Sequence, residues 1–182
     1  EDLYKRVYPY KSLASHVIGF VNDGVGNYGL EQFYNDILTG VDGLSYGYYD
    51  SELNMQKVEK AARNGDTIIS TIDFNIQTVI QEKAETFQNE TGCNNIGIIV
   101  MDPNNGEILG MTSNREFDLN SPRDISIAYT EEELLAMSDT ERLNAMYKMW
   151  RNFCISDTYE PGSTFKIITG TAALTEGVVT PS

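Results

Sequence analysis

Apolar residues recur at helical spacing in several parts of the chain. After Gly29, five of them fall at positions i, i+3, i+4, i+7 and i+8, namely Leu30, Phe33, Tyr34, Ile37 and Leu38. This spacing puts all five on one face of a single predicted helix that ends at Gly40. A second helix is predicted to begin after Asp73, a good N-cap residue, and to end by Gly92. Its apolar positions are Ile76, Val79, Ile80, Ala84 and Phe87.

Three short runs have the composition of strands instead. Residues 67–72 are rich in β-branched side chains, and residues 96–101 form a continuous apolar run. A further strand over residues 108–112 follows a turn that contains Pro103 and Gly106. Two strands joined by so short a loop must be antiparallel. A strand buried on both faces needs helices around it, so the pattern predicts a mixed α+β fold with an antiparallel sheet flanked by helices.

Polar and glycine-rich segments suggest where one domain gives way to the next. Residues 40–49 mix glycine with aromatic residues and predict a loop or a short hairpin. Residues 57–66 are polar and end in the turn sequence Asn64-Gly65-Asp66. We therefore predict a junction here, with residues 1–66 forming part of one domain and residues 67–182 part of a second.

The last third of the chain contains two helix-start signals and one apolar helix. Residues 114–129 show no period and predict a loop. Two capping boxes follow, Thr130 with Glu133 and Ser138 with Glu141. The second box begins a helix with one apolar face, formed by Leu143, Met146, Tyr147 and Trp150. Residues 165–174 are apolar enough to predict a buried helix, and Gly177 closes it.

Composition and charge narrow the possible functions. The 182 residues carry 13 Lys plus Arg against 27 Asp plus Glu, a net charge of −14 that argues against binding a nucleic-acid backbone. One histidine, His16, and two cysteines, Cys93 and Cys154, provide no metal-ligand pattern. The cysteines fit either small buried side chains or a disulfide. The chain begins at Glu1 and ends within a predicted fold, so we expect it to be part of a longer protein.

Ser163 and Lys166 form the pair best suited to chemistry. They lie three residues apart at the start of a predicted helix, which places both side chains on one face. A serine hydroxyl needs a base to become a good nucleophile, and a buried lysine that has lost its proton can serve as that base. The positive end of the helix would stabilise an oxyanion formed at the serine. The spacing alone is a weak signal and favours an N-capping serine beside a solvated lysine.

The surrounding residues favour the catalytic interpretation. The segment Tyr159-Glu160-Pro161-Gly162-Ser163-Thr164-Phe165-Lys166 resembles the active-site serine segment of class B penicillin-binding proteins, the serine D,D-transpeptidases. Residues 15–20 with 29–31 resemble the end of that family's non-catalytic pedestal. Residues 71–73 with 76–77, and 100–103 with 106–109, resemble the beginning of its transpeptidase domain, and Arg151-Asn152 also fits. The similar segments occur in the family's order over some 150 residues.

This resemblance implies a function and a set of partners. Ser163 would be the nucleophile that attacks the D-Ala-D-Ala carbonyl of a peptidoglycan stem peptide, and Lys166 would be the general base. β-Lactams would acylate Ser163. Neither a metal nor an organic cofactor is implied. The parent would be anchored in the bacterial cytoplasmic membrane with its catalytic domain on the extracytoplasmic face, and would work with a peptidoglycan glycosyltransferase and other cell-wall synthesis proteins.

The sequence departs from the family pattern after Ser163. Neither the Ser-x-Asn nor the Lys-Thr-Gly (or Lys-Ser-Gly) element of the family occurs in it. These elements form the opposite wall of the active site, so we expect residues 1–182 by themselves to have little or no activity. Three other interpretations stay open: a β-lactam sensor, a transpeptidase with low β-lactam affinity, or a non-catalytic interaction module of a cell-wall synthesis complex.

Four further features receive structural interpretations. We expect His16 to be a hydrogen-bonded structural residue. Glu160 fits a loop or capping role better than a general acid. The tyrosines Tyr46, Tyr48 and Tyr49 fit either domain packing or a partner-binding patch. The acidic residues 131–133 complement the dipole of the helix that they begin.

Overall fold

The computed structural model describes residues 5–180, which form helices and three separate two-stranded antiparallel sheets. The earlier elements are α1 (Ser15–Ile18), β1 (Phe20–Asn22), β2 (Val25–Asn27), α2 (Gly29–Phe33), α3 (Asn35–Leu38), β3 (Leu44–Tyr49) and β4 (Met55–Lys60). The later ones are α4 (Phe74–Thr91), β5 (Gly97–Met101), β6 (Ile108–Ser113), α5 (Glu131–Ala136), α6 (Asp139–Trp150), α7 (Phe153–Ser156), a 3₁₀ turn (Gly162–Phe165) and α8 (Lys166–Thr175). The predicted α+β class is confirmed.

The hairpin β1–β2 and helix α2 form a small unit at the start of the chain. The hairpin turns at Asp23 and Gly24, which have φ values of 51° and 77°. An Asp-Gly pair favours this two-residue turn because both central residues need positive φ. Glu31 of α2 is buried beside it, where Arg6 Nε contacts Glu31 Oε1 at 3.0 Å and the Tyr8 hydroxyl donates to the same oxygen at 3.1 Å. These contacts attach the chain before α1 to α2.

The single helix predicted over residues 30–38 is wrong. The chain leaves helical geometry at Tyr34, which has φ −105° and ψ 21°, so that α2 and α3 are separate helices. Asn35 Oδ1 accepts a hydrogen bond from Gly26 N at 2.8 Å and so attaches the first residue of α3 to β2. The apolar residues therefore do not share one buried stripe, and Phe33 is 79% exposed.

Residues 40–49 do not form a hairpin by themselves. They contain only the first strand, β3, of a hairpin whose second strand, β4, includes residues 57–60, which the sequence predicts as part of a polar junction. Tyr46 pairs with Val58 and Tyr48 with Gln56 across the two strands. Strand β4 is polar and has no alternating apolar pattern of its own. Backbone pairing with β3 holds it in place.

Helix α4 and the hairpin β5–β6 confirm two predictions. Asp73 Oδ1 accepts hydrogen bonds from Asn75 N and Ile76 N, both at 2.9 Å, and Gly92 ends the helix with φ 67°. The buried face of α4 packs on β6 through Gln77, whose side-chain amide accepts from Met111 N and donates to Met111 O, both at 2.9 Å. A glutamine can be fully buried here because a backbone amide satisfies both of its polar groups.

The strand predicted over residues 67–72 is wrong. This segment lies beside β6 without forming a ladder. Its contacts are a hydrogen bond from the Thr71 hydroxyl to Ile108 O at 2.7 Å and one from Asp73 N to Leu109 O at 2.8 Å. The β-branched composition favours an extended backbone, but it does not by itself provide a partner strand.

One aromatic core joins the early and late parts of the chain. Its buried members are Phe20, Phe117, Leu119 and Trp150. The rings of Phe20 and Trp150 lie 5.1 Å apart in a tilted arrangement, and those of Phe20 and Phe117 meet edge to face at 6.1 Å. Because Trp150 ends α6 and Phe20 begins β1, this core connects the two predicted domains.

The capping boxes at Thr130 and Ser138 are both present, and they begin α5 and α6 as predicted. The burial predicted for the last helix is not found among residues 5–180. α8 forms and Gly177 follows it with φ 67°, but none of its residues is buried, and Ile167 is 75% exposed. Residues 166–175 form the helix that their apolar spacing predicts, but no described part of the chain covers its apolar residues.

Gly19 provides a test of the packing between α1 and β2. It has φ 76°, and a Cβ atom placed on it would lie 2.0 Å from Tyr28 O. Gly24 has φ 77°, but a Cβ there would meet nothing within 4 Å. We expect Gly24→Ala to lower the free energy of unfolding by about 1 kcal/mol through backbone strain, and Gly19→Ala by about 2–4 kcal/mol because the clash adds to the strain. Urea denaturation of the two variants measures the difference, and equal losses would contradict the packing.

Candidate active site

Ser163 lies in the 3₁₀ turn that leads into α8. The turn begins at Gly162, directly after Pro161. Gly162 has a φ of 55°, a backbone conformation that glycine adopts at little energetic cost. Thr164 N donates to Pro161 O at 3.3 Å, and the N–H of Lys166 donates to Ser163 O. Side chains three residues apart eclipse one another in a 3₁₀ turn. Ser163 and Lys166 therefore project from the same side of the chain, as their spacing predicts.

The two side chains are exposed, and no hydrogen bond joins them within residues 5–180. Burial of Lys166, which the catalytic interpretation requires, is therefore not supplied by this part of the chain. The N–H of Ser163 also has no backbone acceptor among the described residues. It lies at the beginning of the helical segment, where a free N–H is suited to stabilise an oxyanion. The roles of Ser163 and Lys166 remain predictions.

A set of polar contacts attaches the segment before Ser163 to the sheet. Asn152 caps α7 by accepting from Cys154 N at 3.0 Å, and its amide group contacts Met111 Sδ at 3.3 Å. Phe153 N donates to the buried hydroxyl of Ser113 at 2.7 Å. These bonds fix α7 against the end of β6, six residues before the 3₁₀ turn begins. The family resemblance indicates Asn152, but no local pattern indicates Ser113, because its contact with Phe153 joins residues 40 positions apart.

His16 is hydrogen-bonded and buried, which confirms its structural interpretation. Its Nδ1 lies 3.0 Å from Glu116 Oε2, and its Nε2 lies 2.8 Å from Met149 O. Glu116 also accepts hydrogen bonds from the hydroxyls of Ser15 and Thr112. Burial alone would raise the pKa of Glu116, but these hydrogen bonds and the charge of His16 outweigh it and hold the pKa below its usual range. No pattern in the sequence indicates this role of Glu116.

The other residues singled out in the sequence take no part in this arrangement. Both cysteines are free thiols and half-buried, so the disulfide alternative is excluded. Glu160 lies in an exposed loop with no side-chain hydrogen bond among the described residues. Tyr46, Tyr48 and Tyr49 are exposed on β3, as a partner-binding patch requires. Within residues 5–180, no three metal-ligating side chains cluster, and no helix is long and apolar enough to span a membrane.

Comparisons with known proteins place this geometry in a family. Residues 96–182 match the penicillin binding protein transpeptidase domain, and residues 1–46 match the penicillin binding protein A dimerisation domain. The chain belongs to the penicillin-binding proteins. The resemblance to the class B members is thereby confirmed.

Individual relatives agree with the family match. Stage V sporulation protein D of Bacillus subtilis is 35% identical over 94% of this chain and 24% of its own length. The probable peptidoglycan D,D-transpeptidase PenA of Neisseria meningitidis is 32% identical over 97% of this chain and 28% of its own. The crystal structure of penicillin binding protein 3 from Mycobacterium tuberculosis, complexed with aztreonam, superposes with a TM-score of 0.69 at 29% identity, and the match covers 97% of this chain and 33% of that one.

The chain spans about a quarter of the length of the curated relatives that it matches. The two family matches lie on either side of the predicted junction, but neither reaches residue 66. The boundary between residues 1–66 and 67–182 therefore stays a prediction.

Proposed function

We propose that the protein containing these residues is a peptidoglycan D,D-transpeptidase that works through an acyl-serine intermediate. The observation that carries the proposal is the 3₁₀ turn at the start of α8, which brings Ser163 and Lys166 to the same side. The turn lies within the segment that matches the transpeptidase domain, and PenA is named for the same activity.

The proposed reaction has two steps. In the first, Ser163 Oγ attacks the carbonyl carbon of the D-Ala-D-Ala amide while Lys166 accepts the hydroxyl proton. The C–N bond breaks, the terminal D-alanine leaves with a proton on its amine, and the stem peptide stays esterified to Ser163. In the second step, an amine of a neighbouring stem peptide attacks the ester, forms the cross-link and returns the proton to the serine oxygen. The N–H of Ser163 stabilises the oxyanion in both steps.

The same chemistry accounts for binding of β-lactams, whose strained amide takes the place of the substrate amide. We propose β-lactams and peptidoglycan stem peptides as ligands of this site, with no metal or organic cofactor. We further propose a membrane-anchored parent with its catalytic domain on the extracytoplasmic face, acting with a peptidoglycan glycosyltransferase. The name of the structural neighbour that holds aztreonam supports the β-lactam part.

Mass spectrometry of the longer protein incubated with benzylpenicillin tests the proposal. We expect the intact mass to increase by one penicilloyl unit and the modified peptide to contain Ser163. A modified peptide from another part of the protein, or an unmodified protein, would contradict the assignment. Residues 1–182 alone are expected to react far more slowly, because Lys166 and the apolar residues of α8 are exposed in them.

An interaction role for the N-terminal part is a second candidate. The observation that favours it is the hairpin β3–β4, on which Tyr46 and Tyr48 are half-exposed and Tyr49 is 69% exposed. Tyrosine is enriched at protein interfaces, where it combines apolar area with a polar group. Binding of a cell-wall synthesis protein that persists in Ser163→Ala but is lost when the three tyrosines become serine would support this role.

A further inference from the structure

The junction between the early and late parts of the chain contains a buried pair of titratable groups that the proposed reaction does not use. His16 belongs to α1, and Glu116 lies just after β6; both are buried, with side chains 1% and 3% exposed. Within residues 5–180, the Glu116 carboxylate has four hydrogen-bond partners, each in a group able to donate a hydrogen bond. The donors are the hydroxyls of Ser15 and Thr112, the backbone N–H of His16 and the imidazole of His16.

The position of one imidazole proton follows from its partner. His16 Nε2 lies 2.8 Å from the carbonyl oxygen of Met149, and a carbonyl oxygen can only accept a hydrogen bond. Nε2 therefore carries a proton. The other ring nitrogen, Nδ1, lies 3.0 Å from Glu116 Oε2. One further proton must lie between these two atoms, either on the imidazole or on the carboxyl group.

Two observations put this proton on the imidazole. A carboxylate accepts at several lone-pair sites, and Glu116 receives donors on both of its oxygens, which favours the ionised form. Met149 is in the last turn of α6, where the helix dipole favours a cation. The pKa of Glu116 is consistent with such a pair, because the hydrogen bond and charge of His16 and the two hydroxyl donors hold it below the usual range against the effect of burial. We infer that His16 is an imidazolium, and that its charge locks α1 to Glu116 and to the end of α6.

Few other groups can change charge near the pair. On α1 and β6 the contacting side chains are Ser15 and Thr112, which do not titrate in this range. On α7, the thiol of Cys154 donates to Thr112 O at 3.3 Å. Burial, with a further contribution from Glu116, raises the pKa of Cys154, so this thiol stays neutral. The ring of Phe117 meets the imidazole edge to face and carries no charge.

The lock requires the charge on His16. Without that charge, the Glu116 carboxylate would be buried without a cation, which is costly. The pair therefore stabilises this junction only while the imidazole is protonated. The end of α6 lies two residues before Asn152, so the same contact holds the start of the segment that leads to Ser163. His16 is in this sense a positioning residue for that segment.

Nitrogen-15 NMR of the histidine ring tests the inference directly, and His16→Gln identifies the signal of this residue. At neutral pH we expect both ring nitrogens to show the shifts of an imidazolium. A neutral ring with its proton on Nε2 would put the other proton on Glu116 and overturn the inference. In Glu116→Gln, which removes the charge but keeps the size of the side chain, we expect the ring shifts to move towards those of a neutral imidazole.

Stability measurements separate a charged lock from ordinary packing. We expect the urea midpoint of the wild type to exceed that of His16→Gln by a margin that shrinks over the pH range in which NMR shows deprotonation. A margin that stays constant across that range would show that His16 acts by packing alone. Neither measurement depends on transpeptidase activity, so the inference can fail while the proposed function stands.

Discussion

Ser163→Ala is expected to remove the covalent penicilloyl adduct of the longer protein completely. Alanine lacks the oxygen that would form the ester, and no other hydroxyl of the turn can replace it. The nearest, that of Thr164, donates to Pro161 O within the turn. The rate of acylation should fall by more than about 10³-fold, as for the loss of a catalytic nucleophile in general. Intact mass measured over time with benzylpenicillin gives this rate.

A serine outside the turn provides the matched control. Ser156, at the end of α7, is exposed and lies seven residues before Ser163. Ser156→Ala makes the same chemical change and should leave both the rate and the position of the adduct unchanged. If Ser163→Ala kept an adduct on the same peptide, Ser163 would not be the nucleophile, and the proposed reaction would have to be abandoned.

Elements governed by local signals follow the sequence closely. Helix α4 begins where Asp73 can cap it and ends at Gly92, and α5 and α6 begin at their capping boxes. The hairpin β5–β6 forms because two apolar runs are joined by a short turn. In each case, the residues that determine the element lie within a few positions of its ends, where sequence patterns are informative.

Elements that depend on distant partners do not follow from the sequence. The break at Tyr34 accompanies a bond between Asn35 and Gly26 in a neighbouring strand. Residues 67–72 have the composition of a strand, but they meet β6 only at isolated points. The apolar pattern of α8 predicted burial, whereas none of its residues is buried. A pattern indicates which residues prefer burial, but it cannot identify the surface that buries them.

The candidate site likewise combines a feature that follows from the local sequence with contacts that depend on distant residues. The spacing of Ser163 and Lys166 placed them on one side, and the 3₁₀ turn does the same. The supporting contacts could not be found from spacing. The Ser113 hydroxyl accepts a hydrogen bond from the backbone N–H of Phe153, which lies 40 residues later in the sequence. The Glu116 carboxylate contacts His16, which lies 100 residues earlier. The sequence identifies the side chains suited to chemistry, and the fold determines what holds them in place.

Glu116→Ala is expected to cause the largest loss of stability of any single substitution considered for this chain. The substitution removes the acceptor of the hydroxyls of Ser15 and Thr112 and the anion that faces His16, and these groups stay buried. Removing one member of a buried ion pair typically costs about 3–5 kcal/mol, because the remaining charge is left uncompensated. Chemical denaturation followed by circular dichroism measures the change in the free energy of unfolding.

Glu82 on α4 provides the control for this substitution and for its pH dependence. Its side chain is exposed, so Glu82→Ala should change stability by no more than about 0.5 kcal/mol. Because the pKa of Glu116 is lower in the folded than in the unfolded chain, its contribution is complete above the ordinary glutamate pKa of about 4.3 and is lost as pH falls through the folded value. The difference between wild type and Glu116→Ala should therefore shrink in acid. A difference that stayed the same down to strongly acidic pH would mean that the carboxylate charge is not what stabilises this junction.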